Sequence, residues 1–419
     1  MENLHPNITL EIFSRLPDES LVLCKQVCKT WRTLLLHKTK VGLLFSIGLH
    51  GEKGNNVQLG YGELRRRIVD DEINNINHKP YEKLTWVDHP SIDKRDEIDA
   101  IVGSCNGLVC FSIPYDDIDD PVYICNPTTK EYVHLPTLHR TEIPAFNEIE
   151  DDHEPTLNRR RGRRMVNGFG YHPSTNEYKV VRIYYANHQN YSLGRVQVYT
   201  LGCRSGWREI GFVTHELHSS PGILANGALH WMDYRKLKIV AFDLADEKFR
   251  LLPSPPCFLL DRPMRILAYK LQVLGGNLSV IHQEPWALSV VHQEPYRVDI
   301  WILKENSNSD VKEQDQYHYQ SWSREFSIAK DNHHCEPFAL TESNEVLLWY
   351  NRTILSCYNP ETKTLKKIVN VGTGFKHFQA IPHIKSSVSL KALGERSRIR
   401  KYSDQLIEGL EEELPFNQD

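Results

Sequence analysis

His333, His334 and Cys335 are consecutive in the sequence, and metal coordination is the chemistry such side chains offer. Their spacing argues against it. Neighbouring residues on a strand point to opposite faces, so the three cannot readily converge on one ion. Cys24 and Cys28 stand one helical turn apart, and Cys105 and Cys110 flank a turn and a strand. Neither pair has a second Cys or His pair at ligand spacing, so these thiols read as small buried hydrophobes. The acidic cluster Asp116–Asp120 lacks the ordered spacing and the glycine of a calcium loop. No Gly-x-Ser-x-Gly elbow, Gly-x-x-x-x-Gly-Lys loop, His-Glu-x-x-His or Gly-x-Gly-x-x-Gly is present, and Gly168-Phe169-Gly170 falls short of the last. No catalytic residue, metal or cofactor is therefore expected. One basic run, Arg159–Arg164, follows the acidic stretch Glu148–Glu154. Together they read as a solvated loop, with nuclear import or a phosphate contact as the sharper alternatives.

The elements that would position any site are bounded by composition. The chain has 419 residues, 40% hydrophobic and 25% charged, with a formal net charge of −4. Those values describe an ordinary globular protein with ample apolar material for a core. The charge balance gives no electrostatic footprint for nucleic acid or an acidic membrane. No stretch approaches the roughly 20 apolar residues of a membrane helix. Met1–Pro6 carries no basic region leading into an apolar run, so no secretory signal is expected, and the nine scattered cysteines read as reduced thiols. The expected location is cytoplasm, nucleus or both.

The first forty or so residues differ from the rest. Ile8, Ile12, Phe13 and Leu16 fall at helical spacing behind Pro6, and Pro17 ends that helix. Asp18 can cap a second helix carrying Leu21 and Cys24, and Val27, Trp31, Leu34 and Leu35 make a third stripe. Such a module has more apolar surface than it can bury by itself, so part of that surface must meet something else. From about Val41 short β-type runs take over. The clearest are Leu108–Phe111, Val122–Cys125, Tyr178–Tyr185, Val196–Leu201, Leu229–Met232, Ile239–Leu244, Leu278–His282, Val298–Leu303, Val346–Tyr350 and Ile354–Tyr358. Asn106-Gly107, Asn167-Gly168, Asn226-Gly227 and Gly275-Gly276-Asn277 are turn candidates tolerant of positive φ.

These runs repeat. Asn126-Pro127-Thr128-Thr129-Lys130 and Asn359-Pro360-Glu361-Thr362-Lys363 nearly copy each other, and His172-Pro173-Ser174-Thr175-Asn176 is a looser copy. Val196–Tyr199 leading to Trp207 resembles Val298–Trp301 leading to Trp322. Turn signals recur about every 50 to 70 residues, the footprint of a β-propeller of about six or seven four-stranded blades. Trp207, Trp231, Trp286, Trp301, Trp322 and Trp349 are expected to pack between blades, with Trp286 the most exposed. Residues 278–287 and 288–297 form a local duplication that reads as a lengthened hairpin. The expected organisation is a small all-α domain over 1–40, a large all-β domain over 41–388, and a charged, flexible tail over 389–419.

The segment "HPNITLEIFSRLPDESLVLCKQVCKTWRTLL" resembles an F-box, the helical motif that docks on Skp1. His5-Pro6 stands where the motif usually has Leu-Pro, with Leu4 one place earlier. "GSCNGLVCF", "ICNPTTKEYVHLP", "GFGYHPSTNEYKVVRIYY", "NGALHW" and "IVAFDLADEKFRLLP" resemble the associated domain that follows the F-box in a large plant family, some of it kelch-like. The resemblance implies a non-catalytic substrate receptor of a Skp1–cullin–F-box ubiquitin ligase. Leu4, Pro6, Ile8, Leu16, Pro17, Leu21, Val27, Cys28 and Trp31 would form the Skp1-binding surface, while Ile12, Phe13 and Leu34 would be the module's own core. Skp1 would bring a cullin and a RING protein, and the β domain would hold a target protein. The alternative is a non-degradative protein- or glycan-binding propeller module that binds Skp1 without promoting ubiquitination. Loops Asp116–Pro121, Ile143–Arg164, His188–Gly194 and Asn306–Tyr319 are the expected recognition face.

Overall fold

The computed structural model describes residues 6–16, 24, 30, 31, 34, 42–49, 56–64, 81–87, 101–115, 118–137, 164–185, 193–233, 235–258, 268–283, 297–305, 320–329, 334–341, 343–351, 354–370 and 375–399. A helix spans Pro6–Ser14. Proline suits its first position, where the missing N–H costs no hydrogen bond. Its end tightens as Arg15 N and Leu16 N bond the carbonyls of Ile12 and Phe13 at 3.2 and 3.1 Å. Most of the second and third helices expected from the sequence lies outside the described residues.

Six sheets form the β domain, which settles the blade number at six. Blade 1 runs Phe375–His383, Gly42–Leu49, Asn56–Leu64, Tyr81–Val87 from inside to outside. Blade 2 runs Ile101–Cys105, Leu108–Tyr115, Ile118–Asn126, Glu131–His134, with Arg398–Ile399 added at its outer edge. Blade 3 comprises Arg164–His172, Glu177–Tyr185, Gly194–Thr200 and Trp207–Val213. Blade 4 comprises Ile223–Ala225, Ala228–Asp233, Lys238–Asp243 and Phe249–Leu251. Blade 5 comprises Tyr269–Leu274, Asn277–Gln283, Arg297–Glu305 and Gln320–Ala329, and blade 6 Cys335–Leu340, Val346–Tyr350, Ile354–Asn359 and Thr364–Asn370. The innermost strands touch one another around a closed ring, and the C-terminal strand Phe375–His383 completes the N-terminal blade.

Stacking sheet on sheet explains why middle strands read as continuous apolar runs. Every residue of Ala228–Asp233 is buried, as is every residue of Tyr178–Tyr185. The core lies between blades: Leu44 and Tyr61 with Ile101 and Phe111, then Ile124 and Val133 with Phe169 and Tyr178. Val181 and Tyr185 meet Leu229 and Phe242, Ile239 meets Val280, and Ile300 meets Leu348. Each such side chain contributes roughly 1.5–3 kcal/mol on burial. No single centre holds the domain.

The repeated turns share one mechanism. Asn126 Oδ1 accepts from Thr128 N at 2.9 Å, and Asn359 Oδ1 from Glu361 N and Thr362 N at 2.9 and 3.1 Å. Asp233 does the same for Arg235 N and Lys236 N, and Asp243 for Ala245 N and Asp246 N. In each turn the fifth residue is left-handed: Lys130 (φ 61°), Leu237 (48°), Glu247 (55°) and Lys363 (57°). A side-chain oxygen imitating a backbone carbonyl holds the turn against the strain of that conformation, roughly 1–2 kcal/mol for a residue with a Cβ. The repeat between Trp207 and Trp322 also has a cause. Trp207 Nε1 donates to the carbonyl of Pro136 at 2.7 Å and Trp322 Nε1 to that of Pro253 at 2.8 Å. Each pins an outer strand to the Leu-Pro that ends the preceding blade.

Asn167-Gly168 is no turn. It lies inside the strand Arg164–His172, where a Cβ on Gly168 would stand 2.8 Å from Leu229 Cδ1 and 2.9 Å from Trp231 Cζ2. Glycine is there for close approach between blades.

The flexible tail expected over 389–419 is corrected for its first part. After His383 the chain straps across blades 2 and 3. Asn126 Nδ2 donates to the carbonyls of Ser386 and Val388 at 2.9 and 2.7 Å. Glu131 takes Ser389 Oγ at 2.8 Å and Lys391 N at 3.2 Å. Leu390 is wholly buried between the blades, and Glu395 accepts from Gly202 N at 2.7 Å.

Candidate partner-binding surfaces

The N-terminal helix sorts its residues by side. Thr9 and Phe13 are buried, while Ile8 and Ile12 stay 51% and 37% exposed beside the Glu11–Arg15 ion pair. Phe13 meets Trp31 edge-on at 4.9 Å between ring centroids, with Leu16, Cys24 and Leu34 packed around them. Of the residues assigned to docking, Ile8 is therefore on the surface, Leu16 is half-buried, and Trp31 is turned inward. Ile12, assigned to the core, faces out. Pro6 opens the helix. Leu4, Pro17, Leu21, Val27 and Cys28 lie outside the described residues.

Antiparallel connectivity sorts the propeller loops onto two rims. We call the rim where the innermost strands begin the entry rim, and the other the exit rim. Segment 214–222 joins strand ends at the entry rim. Of the expected recognition loops, only Ile118–Pro121, Arg164, Leu193 and Gly194 are described, and the strand ends Ile118, Arg164 and Gly194 stand at the entry rim; the remainder lies outside the described residues. Asn306–Tyr319 lies outside the described residues; the strand ends that flank it, Glu305 and Gln320, stand at the exit rim.

Part of Asp116–Pro121 is not loop either. Asp120 sits in the strand Ile118–Asn126, 1% exposed, and pairs at 3.0 Å with Arg182 of blade 3, itself 2% exposed. Arg182 Nε also donates to Gln197 Oε1 at 2.8 Å, and its guanidinium lies 4.0 Å from the Trp207 ring. This buried bridge between blades 2 and 3 had no signal in sequence, because its partners come from separate blades. A second bridge joins blades 3 and 4: Glu247 accepts from Lys179 Nζ at 2.9 Å and Arg208 Nη2 at 2.7 Å.

The chain enters the propeller at Gly42, which pairs with His383. Both stand at the exit rim. The first propeller strand after the N-terminal segment thus begins on the rim opposite the strand ends Ile118, Arg164 and Gly194.

Among the described residues no group of three or more His, Cys, Asp or Glu side chains could hold a metal ion. Burial pushes the thiols of Cys105, Cys257 and Cys357 up to about 12, far from thiolate reactivity. Cys335 is buried in the core between blades 5 and 6.

Comparison with known proteins agrees with this architecture. The family described as F-box associated beta propeller domain matches residues 74–397, and the F-box-like family matches residues 2–39. An F-box protein of Arabidopsis thaliana is 27% identical over 420 residues, covering 88% of each chain. An F-box/kelch-repeat protein of the same plant is 25% identical, covering 85% of this chain and 88% of its own. The F-box protein CPR1 of that plant is 26% identical, covering 88% and 84%. The chain belongs to the F-box-associated β-propeller family of plant F-box proteins. That pairing of domains is, in general, the build of a non-catalytic substrate adaptor.

Proposed function

We propose that this protein is the substrate receptor of a Skp1–cullin–F-box ubiquitin ligase. The observation that carries the reading is the union of an F-box-like segment with a closed six-blade propeller in one chain. The F-box docks on a Skp1-like protein through exposed apolar side chains, Ile8 and Ile12 among them. Skp1 brings a cullin and a RING subunit. The propeller holds a target through entry-rim loops, on the rim away from the F-box tether. Catalysis then means proximity: tethering raises the effective concentration of target lysines at the ubiquitin-charged E2. The protein acts in the cytoplasm, the nucleus or both.

Affinity capture from plant cells under proteasome inhibition tests this reading, comparing the intact chain with one lacking residues 1–40. Loss of Skp1 and cullin on deletion, with another protein retained, supports the adaptor. Absence of Skp1 with the intact chain refutes it. A retained partner whose abundance ignores proteasome inhibition makes the protein a non-degradative binding module instead.

A further inference from the structure

After His383 the chain crosses blades 2 and 3 as a strap, and three polar anchors hold it there. Asn126 Nδ2 donates to the carbonyls of Ser386 and Val388 at 2.9 and 2.7 Å. Glu395, on the strap, accepts from Gly202 N at 2.7 Å and from Tyr199 Oη at 3.1 Å. Between these two, Glu131 of blade 2 accepts the Ser389 hydroxyl at 2.8 and 3.0 Å from its two carboxylate oxygens, and Lys391 N at 3.2 Å. Ser389 Oγ in turn accepts from Ala392 N at 3.1 Å. This middle anchor adjoins Leu390, which fills the slot between the blades among Val133, Leu135, Tyr178 and Leu201.

The anchors differ in what can undo them. Asn126 is wholly buried and its bonds go to backbone carbonyls. Ser386 Oγ donates to the Asn106 carbonyl at 2.6 Å, but Ser386 is 1% exposed. Ser389 is half-buried between an exposed Ser387 and an exposed Lys391. Among the described residues it is the one strap hydroxyl that gives its proton to a carboxylate, and Glu131 has no cationic partner there. A phosphate on that oxygen carries roughly two negative charges and has no proton for Glu131. Like charges a few ångströms apart at a partly buried contact repel strongly. The N–H groups a phosphate would seek, those of Lys391 and Ala392, already point at Glu131 and at Ser389 Oγ. Chain ends tied by few contacts also open more readily than the blades beneath them, which lets an enzyme reach the hydroxyl.

We propose that Ser389 is a phosphorylation site and that its phosphate releases the strap, uncovering the apolar slot between blades 2 and 3. A protein kinase supplies the phosphoryl group from a nucleoside triphosphate. Ser389 Oγ forms the new bond to the γ-phosphorus, the bond to the nucleoside diphosphate breaks, and the hydroxyl proton leaves through the kinase's base. The test places phosphoserine at position 389 of the full chain through an expanded genetic code and reads amide hydrogen exchange over residues 386–395. Exchange there should quicken about a hundredfold, and the melting temperature should fall. Phosphoserine at the exposed position 387 should change neither. In a Glu131→Gln background the phosphate at 389 should quicken exchange less than about tenfold, because the repelling charge is gone. Unchanged protection with phosphate at 389 overturns the latch. An equal effect from position 387 overturns it as diffuse charge, and an undiminished effect with Glu131→Gln overturns it as bulk. If the phosphorylated chain does not fold, Ser389→Glu against Ser389→Ala decides: the added carboxylate, beyond loss of the hydroxyl, must open the strap. Phosphopeptide mapping of the chain from plant cells treated with a phosphatase inhibitor tests the modification itself. Phosphate on Ser389 is expected, and full coverage of that peptide without it overturns the site. None of these readouts needs Skp1 or a target, so the latch and the adaptor reading fail separately.

Discussion

Gly42 and His383 face each other across the strands that close the propeller. The chain therefore enters and leaves the ring at one place on one rim. The fit there is tight: a Cβ on Gly42 would lie 2.1 Å from Tyr61 Oη. Gly42→Ala should destabilise the protein by roughly 1–3 kcal/mol, the usual cost of overpacking, as read by urea denaturation. An unchanged midpoint would show that Tyr61 swings away freely.

His383 also makes the closure sensitive to acid. Its Nδ1 bonds Ser104 Oγ of blade 2 at 2.8 Å, and burial lowers its pKa from 6.5 to about 4. The unfolded chain therefore binds the extra proton first as pH falls. Stability should be full above about pH 6.5 and decline toward pH 4, by an amount on the order of 3 kcal/mol. His230, lowered to about 4 by burial in blade 4, acts with the same sign. Replacing His383 with Gln should flatten the slope of unfolding free energy against pH over that interval. An unchanged slope would remove His383 from the account.

The Asp120–Arg182 bridge predicts an asymmetric mutant cycle. Asp120→Ala leaves a guanidinium buried without its counter-charge and should cost about 3–5 kcal/mol. Adding Arg182→Met should restore part of that loss, since the paired charges give little net stability over apolar replacements. Additive losses in denaturant melts would contradict a coupled pair.

The strap over residues 384–399 should add stability without help from residues 400–419. Leu390→Ala empties a buried site between blades 2 and 3 and should cost about 2–5 kcal/mol. Ending the chain after His383 should lower the melting temperature further, while ending it after Ile399 should not. Equal melting temperatures for the two truncations would mean the strap merely rests on the surface.

Within the F-box, burial separates docking from support. Ile8→Asp should abolish capture of a Skp1-like protein and leave the propeller's melting unchanged. Trp31→Ala should instead loosen the module by removing the partner of Phe13, roughly 3–5 kcal/mol for a buried tryptophan. Intact capture by Ile8→Asp would move the interface elsewhere on the module. The double change Leu16→Ala, Pro17→Ala should also abolish capture.

Local features were the legible ones in the sequence. The Asn126 and Asn359 turns declare themselves because side chain and backbone partners lie within four residues. The ten clearest strand runs fall in or against observed strands because alternation and turn chemistry are short-range signals. The failures are long-range. Asn167-Gly168 has turn chemistry, yet packing against Leu229 and Trp231 overrides it. Asp120 looked like part of a polar loop because Arg182 is in another blade. The strap looked like a loose tail because its anchors, Asn126, Glu131 and Gly202, lie far upstream. At the N-terminal helix, helical spacing alone does not sort the sides: Trp31 packs edge-on against Phe13, and Ile12 is 37% exposed.

The ring has a consequence for how the protein is made. Blade 1 lacks its inner strand until residues 375–383 have been synthesised, and Leu390 fills its slot later still. Five blades can leave the ribosome in order, but none of them is part of a ring until Phe375–His383 has followed. The F-box-like segment, by contrast, emerges before every blade. If the proposed adaptor role holds, a message cut short in blade 6 would yield a chain that carries the docking segment while its receptor ring stays open. Such a product would compete with the full protein for the ligase and deliver nothing to it.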